Sequence, residues 1–316
     1  MKQNLFDKSA NALVKFSRRW GRQGWLIFLV CFGIYLTLIP FTHPFSAQSR
    51  EQPAEIRGVW LTNVDSQVLF DSKTLTESIN TLSQLNFNTL YPTVWNWGYT
   101  FYPSQVAQSV VGKNLDPTPG LQGRDTLKEI VEQGHEKGMS VIPWFEFGFM
   151  APKDSELAKR HPDWLTKRQD NSTMWLEGNT HERVWLSPFN PEVQEFLTDL
   201  LIEIVTNYDI DGIQVDDHFG IPFDFGYDDV TVQIYQQEHN GKRPPATPSY
   251  LKMGRNNCLA KDAAWTEWTN WRAKKITEIL QSSYYGMLTR VQSSKNNEQG
   301  INLINVLLNS FRLNSN

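Results

Sequence analysis

A chain of 316 residues, 40% hydrophobic and 20% charged, has ordinary globular composition and is long enough for one large domain or about two smaller ones. Its net charge of −4 is uneven: residues 1–24 carry +5 and the remainder −9, and a body that acidic argues against polyphosphate binding, so no nucleic-acid partner is expected. Two cysteines, Cys31 and Cys258, exclude a disulfide framework and leave Cys258 as a structural thiol.

The basic head of residues 1–24 runs into an uncharged apolar stretch over residues 25–40. A positive flank before such a run is an export signal that leaves the N-terminus in the cytoplasm. It reads as a signal anchor or a signal-peptide core cleaved after Ala47, and on either reading the body is extracytoplasmic, with the membrane as a partner of the N-terminal segment. Residues 41–54, with Pro44, Ser46, Gln48, Ser49 and Pro53, read as a linker.

Organisation starts at Ile56. The apolar run Ile56–Thr62 predicts a strand closing in polar Asn63 and Asp65, and Thr74 with Glu77 fits a capping box ahead of Leu75, Ile79, Leu82 and Leu85 at helical spacing. Asn88–Trp95 predicts a second strand with Pro92 near its end, followed by a long loop from Trp95 to Gly123. Asp125 caps a second helix through Leu127, Ile130 and Val131 that ends near Gly138, and Met139–Phe147 predicts a third strand carrying Glu146. An aromatic, polar loop reaches residue 188. Asn190 as cap, Pro191 in the first turn and Glu192 and Glu195 near the positive end then start a third helix with a stripe of Val193, Phe196, Leu197, Leu200, Ile204 and Val205. The run Asp211–Gly220 is a fourth strand ending in Asp216, Asp217 and His218.

Four strand–helix units in succession imply a parallel sheet with right-handed crossovers. No Gly-rich phosphate loop follows the first strand, which counts against a nucleotide-binding domain. The strand ends carry Asn63, Asp65, Trp95, Asn96, Trp97, Glu146, Asp216, Asp217 and His218, a rim of acids and aromatics that fits about half of a (β/α)8 TIM barrel.

The segments Ile56–Thr62, Tyr91–Ser104, Trp144–Pro152, His161–Trp164, Val184–Leu186 with Asn190–Val193, Asp211–Pro222 and Trp268–Arg272 together resemble the glycosyl hydrolase-like 10 family, and the wording of Phe147–Pro152 and Asp217–Gly220 looks like its cyanobacterial branch. The resemblance implies a TIM barrel that hydrolyses a glycosidic bond in a cell-wall or extracellular polysaccharide, a peptidoglycan-type glycan included, without a cofactor. The family's barrel continues through four more strands. Here the similar region is taken as residues 55–280 and residues 281–316 as a divergent tail, so the expected domain is the first half of a barrel.

Glycoside hydrolysis needs two carboxyl groups flanking the anomeric carbon. Neighbouring strand residues point to opposite faces, so Asp216 and Asp217 cannot both serve on a regular strand. With Ile213 and Val215 facing helices, Gln214 and Asp216 face the interior, which makes Asp216 the candidate nucleophile or base. Barrel glycosidases of related clans also place a nucleophilic acid at the end of strand four, and their partner acid on strand five; in this chain Glu146 is the substitute partner, its bland alternative being a carboxylate that hydrogen-bonds a loop amide or a sugar hydroxyl. Asp65, Trp95, Asn96, Trp97, Gln214, Asp217 and His218 are the candidate substrate-binding residues, with Trp95 and Trp97 as an exposed stacking platform and Trp144 and Trp185 in the core. No metal is expected, because His161, His181 and His218 share no ligand spacing. The competing reading is a non-catalytic glycan-binding or structural partial barrel.

Overall fold

The computed structural model describes residues 55–248 and 262–294. The basic head, apolar run and linker expected over residues 1–54 lie outside them, as do Cys258 and the tail beyond residue 294. No helix among the described residues is long and apolar enough to cross a membrane.

Strand β1 (Gly58–Leu61) is followed by α1 (Ser72–Gln84), and β2 (Thr89–Asn96) pairs with β1 in parallel, Trp60 beside Tyr91. The cap of α1 is Asp71, whose side chain accepts from the Thr74 backbone N–H at 2.7 Å and from its hydroxyl at 2.7 Å. The expected start at Thr74 is thus one turn late. Asp offers a carboxylate to the helix's positive end, and Thr74 serves as its donor.

β2 turns through Trp97 and Gly98 into β3 (Tyr99–Thr100), which pairs with it antiparallel. Both turn residues have positive φ, 55° and 79°, the geometry of a type I′ hairpin. The expected loop is therefore partly a hairpin, with a short helix α2 (Gln105–Val110) after it. Helix α3 (Thr126–Glu136) starts on Asp125, which accepts from Lys128 N–H at 3.0 Å. Gly134 lets α3 lie close on the sheet, since a Cβ there would meet a Val141 methyl at 2.8 Å.

The third strand position is split into β4 (Ser140–Val141) and β5 (Trp144–Phe145), both parallel to β2. The break is a consequence of proline. Leu90 pairs with Val141 and Thr93 with Trp144, so Pro92 and Pro143 stand opposite one another, two residues without an N–H. Pro92 sits mid-strand and not at the strand end.

The segment expected as loop up to residue 188 folds into a second sheet. β6 (Met150–Pro152) and β7 (Trp175–Glu177) flank β8 (His181–Trp185), all antiparallel, with the short helix α4 (Glu156–Arg160) between β6 and β7. Its strands are three to five residues long and rich in polar groups, which hides their alternation. Helix α5 (Pro191–Asn207) begins as predicted on Asn190, which accepts from Glu192 N–H at 2.9 Å, and buries the predicted stripe plus Leu201.

β9 (Gln214–Val215) completes the parallel order β1-β2-β5-β9. After it come α6 (Asp229–Glu238) and α7 (Ala263–Ser294). The boundary expected at residue 280 falls inside α7. Ile276, Leu280, Ser283 and Met287 continue one stripe along α5, where Thr198 and Ser283 hydroxyls meet at 2.7 Å. The described residues thus build four parallel strand–helix units. One apolar core lies between sheet and helices, and a second cluster of Phe189, Tyr235, Trp265, Trp268, Trp271 and Ile276 surrounds the buried Arg272.

Candidate active site

Register assigns the two sheet faces. Trp60, Tyr91, Trp144 and Gln214 share one face, while Leu61, Leu90, Val141 and Phe145 belong to the helix-facing core. Two residues beyond the Trp144–Gln214 pair, Glu146 and Asp216 follow just past the ends of the adjacent parallel strands β5 and β9, on the first face by parity. Ile213 is buried in the core and Val215 packs against it, while Gln214 and Asp216 lie on the face of Trp60 and Trp144.

Asp216 is held from two sides. Its Oδ2 accepts from the Trp144 indole at 3.1 Å, and its Oδ1 accepts from the His218 backbone N–H at 3.1 Å. The His218 Nδ1 lies 2.8 Å from the Glu146 carbonyl oxygen and 3.5 Å from Asp216 Oδ1. A carbonyl only accepts, so Nδ1 carries the proton, and His218 ties the backbone of one acid to the side chain of the other. The side chain of Asp217 lies outside the described residues.

Glu146 is more enclosed. Its Oε2 accepts from Asn96 Nδ2 at 2.9 Å and from the Thr93 hydroxyl at 3.2 Å. Burial pushes its carboxyl above the usual range, the nearby Asp216 charge pushes the same way, and the Thr93 hydrogen bond and His218 oppose them. Two carboxyls of unequal environment on neighbouring strands can divide acid and base roles between them.

Trp95 requires a correction. It is fully buried, with 0% of its surface exposed, its indole donating to the Gly148 carbonyl at 3.0 Å and its ring edge-on to Phe196 at 5.6 Å. The cause is a register shift in β2: Thr93 pairs with Trp144, but Trp95 pairs with Phe145. The extra residue turns Trp95 toward the helices and delivers Asn96 to Glu146. Trp97 packs half-buried against the core, and Asp65 is exposed in the loop after β1, outside these contacts.

The exposed aromatic on this face is instead Trp60, with 52% of its surface open. Its indole donates to Gln214 Oε1 at 3.0 Å, and its ring stacks on Tyr91 at 5.5 Å and meets Trp144 edge-on at 6.2 Å. Trp144 was expected in the core, yet it is half-buried at the site; Trp185 is in the core, donating to the Gly220 carbonyl. Trp60 lies inside an apolar run, and only its register with Trp144 reveals the face it occupies.

The antiparallel insert reaches the site through backbone. Phe149 N–H donates to the His218 carbonyl at 2.9 Å, and Leu186 N–H to the Phe149 carbonyl at 2.9 Å. Gly148 makes this junction, with φ +50° and the His218 carbonyl oxygen 2.6 Å from where a Cβ would stand. Among the described residues no cluster of three or more His, Cys, Asp or Glu could hold a metal ion.

A family model described as Glycosyl hydrolase-like 10 matches residues 55–295. Glycosyl hydrolase DigH of Escherichia coli K12 is 26% identical over 204 residues, 56% of this chain and 44% of that protein. Glycosyl hydrolase YngK of Bacillus subtilis is 21% identical over 259 residues, 75% of this chain and 43% of that protein. The chain therefore spans less than half the length of these relatives. Superposition on alpha-L-fucosidase isoenzyme 2 from Paenibacillus thiaminolyticus gives a TM-score of 0.46 at 18% identity, over 76% of this chain and 30% of that one.

Proposed function

The chain belongs to the glycosyl hydrolase-like 10 family, and on that premise we propose that it is an extracytoplasmic glycoside hydrolase acting on a cell-wall or extracellular polysaccharide, its sheet forming half of a (β/α)8 barrel. The observation that carries this reading is that Glu146 and Asp216 directly follow the in-register strand ends Trp144–Phe145 and Gln214–Val215 and lie close enough for the Asp216 charge to act on Glu146. Asp216 is near enough for its charge to act on Glu146, which favours the shorter, retaining carboxyl separation of roughly 5–5.5 Å.

In the proposed reaction, Glu146 enters as the neutral acid, supported by its raised pKa, and gives its proton to the glycosidic oxygen as that bond breaks. Asp216 attacks the anomeric carbon and forms a glycosyl ester. Glu146, now a carboxylate, then takes a proton from water, whose oxygen displaces Asp216 and releases the sugar with retained configuration. The Trp144 and His218 donors hold the Asp216 carboxylate oriented. The open ring of Trp60 serves as the sugar platform in place of Trp95. The N-terminal basic and apolar segments support export of the body, and protease digestion of intact against lysed cells tests that side of the membrane.

Release of reducing ends from peptidoglycan and neutral glucans by the full chain is the direct assay. Asp216→Asn is expected to reduce it to background and Glu146→Gln by about 10²–10⁴-fold. Undiminished hydrolysis by Asp216→Asn would overturn the assignment, and glycan binding without hydrolysis by the intact chain would establish the non-catalytic alternative.

A further inference from the structure

A row of amides behind Glu146 is oriented from one end to the other. The Trp97 backbone N–H donates to Asn96 Oδ1 at 2.8 Å. That bond holds the oxygen end of the Asn96 amide. Asn63 Oδ1, 2.8 Å from Asn96 Nδ2, holds the other end by taking one of its hydrogens, and the second goes to Glu146 Oε2 at 2.9 Å. With either hold removed the amide is free to turn away from the acid.

Asn63 has 5% of its surface exposed, and its Nδ2 is buried without a partner among the described residues. An unsatisfied buried donor costs stability that a leucine of similar size would not. The oxygen at the other end of that amide is what the residue contributes. We propose that Asn63 is a positioning residue for Glu146: its side-chain oxygen holds the Asn96 amide in the orientation that donates to the acid. Trp97 supports the same geometry from the hairpin, where its φ of +55° is strained for a bulky side chain. The proposal rests on the reading of Glu146 as the site acid, but its test needs no turnover.

The test is a carbon-13 NMR titration of the Glu146 carboxyl in the full chain and in Asn63→Leu, Asn96→Leu and the double variant. Asp216 from β9, His218 from the turn after it and the Thr93 hydroxyl face Glu146 and stay in every variant. Asn96→Leu should shift the Glu146 midpoint upward, because the ionised form loses a donor. Asn63→Leu should reproduce at least about half of that shift, and the double variant should move no further than Asn96→Leu alone, since both act on one bond. An Asn63→Leu midpoint equal to the wild type, or additive shifts, would overturn the proposal.

Should Asn63→Leu fail to fold, the wild type still decides. Its Asn96 and Asn63 side-chain amide signals should follow the Glu146 midpoint, and an Asn63 signal flat across it would be equally decisive against the relay. A titrating relay in a chain that cleaves no glycan would sink the hydrolase reading and leave the positioning intact. Hydrolysis with independent amides would do the reverse.

Discussion

Gly148 joins the antiparallel insert to the face that carries Glu146 and Asp216, and replacing it with alanine separates two costs. The first is backbone: at φ +50° an L-residue pays about 1.5 kcal/mol. The second is contact. The new Cβ would sit 2.6 Å from the His218 carbonyl oxygen and 2.6 Å from a Phe219 ring carbon, so a backbone segment and not a flexible side-chain tip must move, at about 2 kcal/mol by analogy with overpacked cores. Gly138 supplies the control, with φ +69° and nothing within 4 Å of its Cβ position. At about 3 °C per kcal/mol for a domain of this size, Gly138→Ala should lower the melting temperature by about 5 °C and Gly148→Ala by about 10 °C in differential scanning calorimetry. Only Gly148→Ala should also impair hydrolysis, because the displaced carbonyl belongs to His218, which orders Asp216. Equal melting temperatures for the two variants would refute the reasoning that this junction is sterically closed.

Trp95 and Trp60 should exchange the roles that their positions in the sequence suggest. Trp95→Phe leaves the Gly148 carbonyl without its donor and should cost about 1–3 kcal/mol in denaturant unfolding without altering glycan affinity. Trp60→Ala should change stability by about 0.5 kcal/mol yet weaken oligosaccharide binding about tenfold in calorimetric titration. Glu146 holds its proton more tightly in the folded chain than in the unfolded one, so its contribution to stability falls as pH rises from the ordinary carboxyl value of 4.5 through the raised folded value. Glu146→Gln should flatten the stability curve over that window; an unchanged slope would show that Glu146 is solvated.

The parts legible in the sequence are those governed by local physics. Asn190, Pro191 and Glu192 mark a helix start through the chemistry of unsatisfied amides, and six of the seven buried positions of α5 follow from period alone. The placement of Gln214 and Asp216 on one face follows from strand parity. The exposed platform expected at Trp95 rested on reading it at the start of a loop; it lies within β2 instead, where the register shift after Thr93 sends it into the core and Asn96 to the acid, and no residue type near it signals an inserted position. Trp60 was hidden for a related reason, since an apolar run reads the same whether its alternate residues face helices or an open concave surface. The insert was hidden because its strands are short, and although β7 and β8 form a local hairpin, β6 joins them only through pairing with a segment some thirty residues away. Asn63 looked like a strand-end polar residue; its importance lies in the oxygen it presents to Asn96 from a distant part of the chain, a contact that no residue pattern announces.

The facing prolines of the central strands leave their gaps on two different seams. Leu90 accepts from the Ile142 N–H, so Pro92, two residues on, turns its missing donor toward the third strand position, whereas Pro143 accepts from the Gln214 N–H and has its missing donor on the β9 side. Each seam therefore lacks one backbone rung close to the acids, and side chains tie it instead: Asn96 to Glu146 across the first and Trp144 to Asp216 across the second.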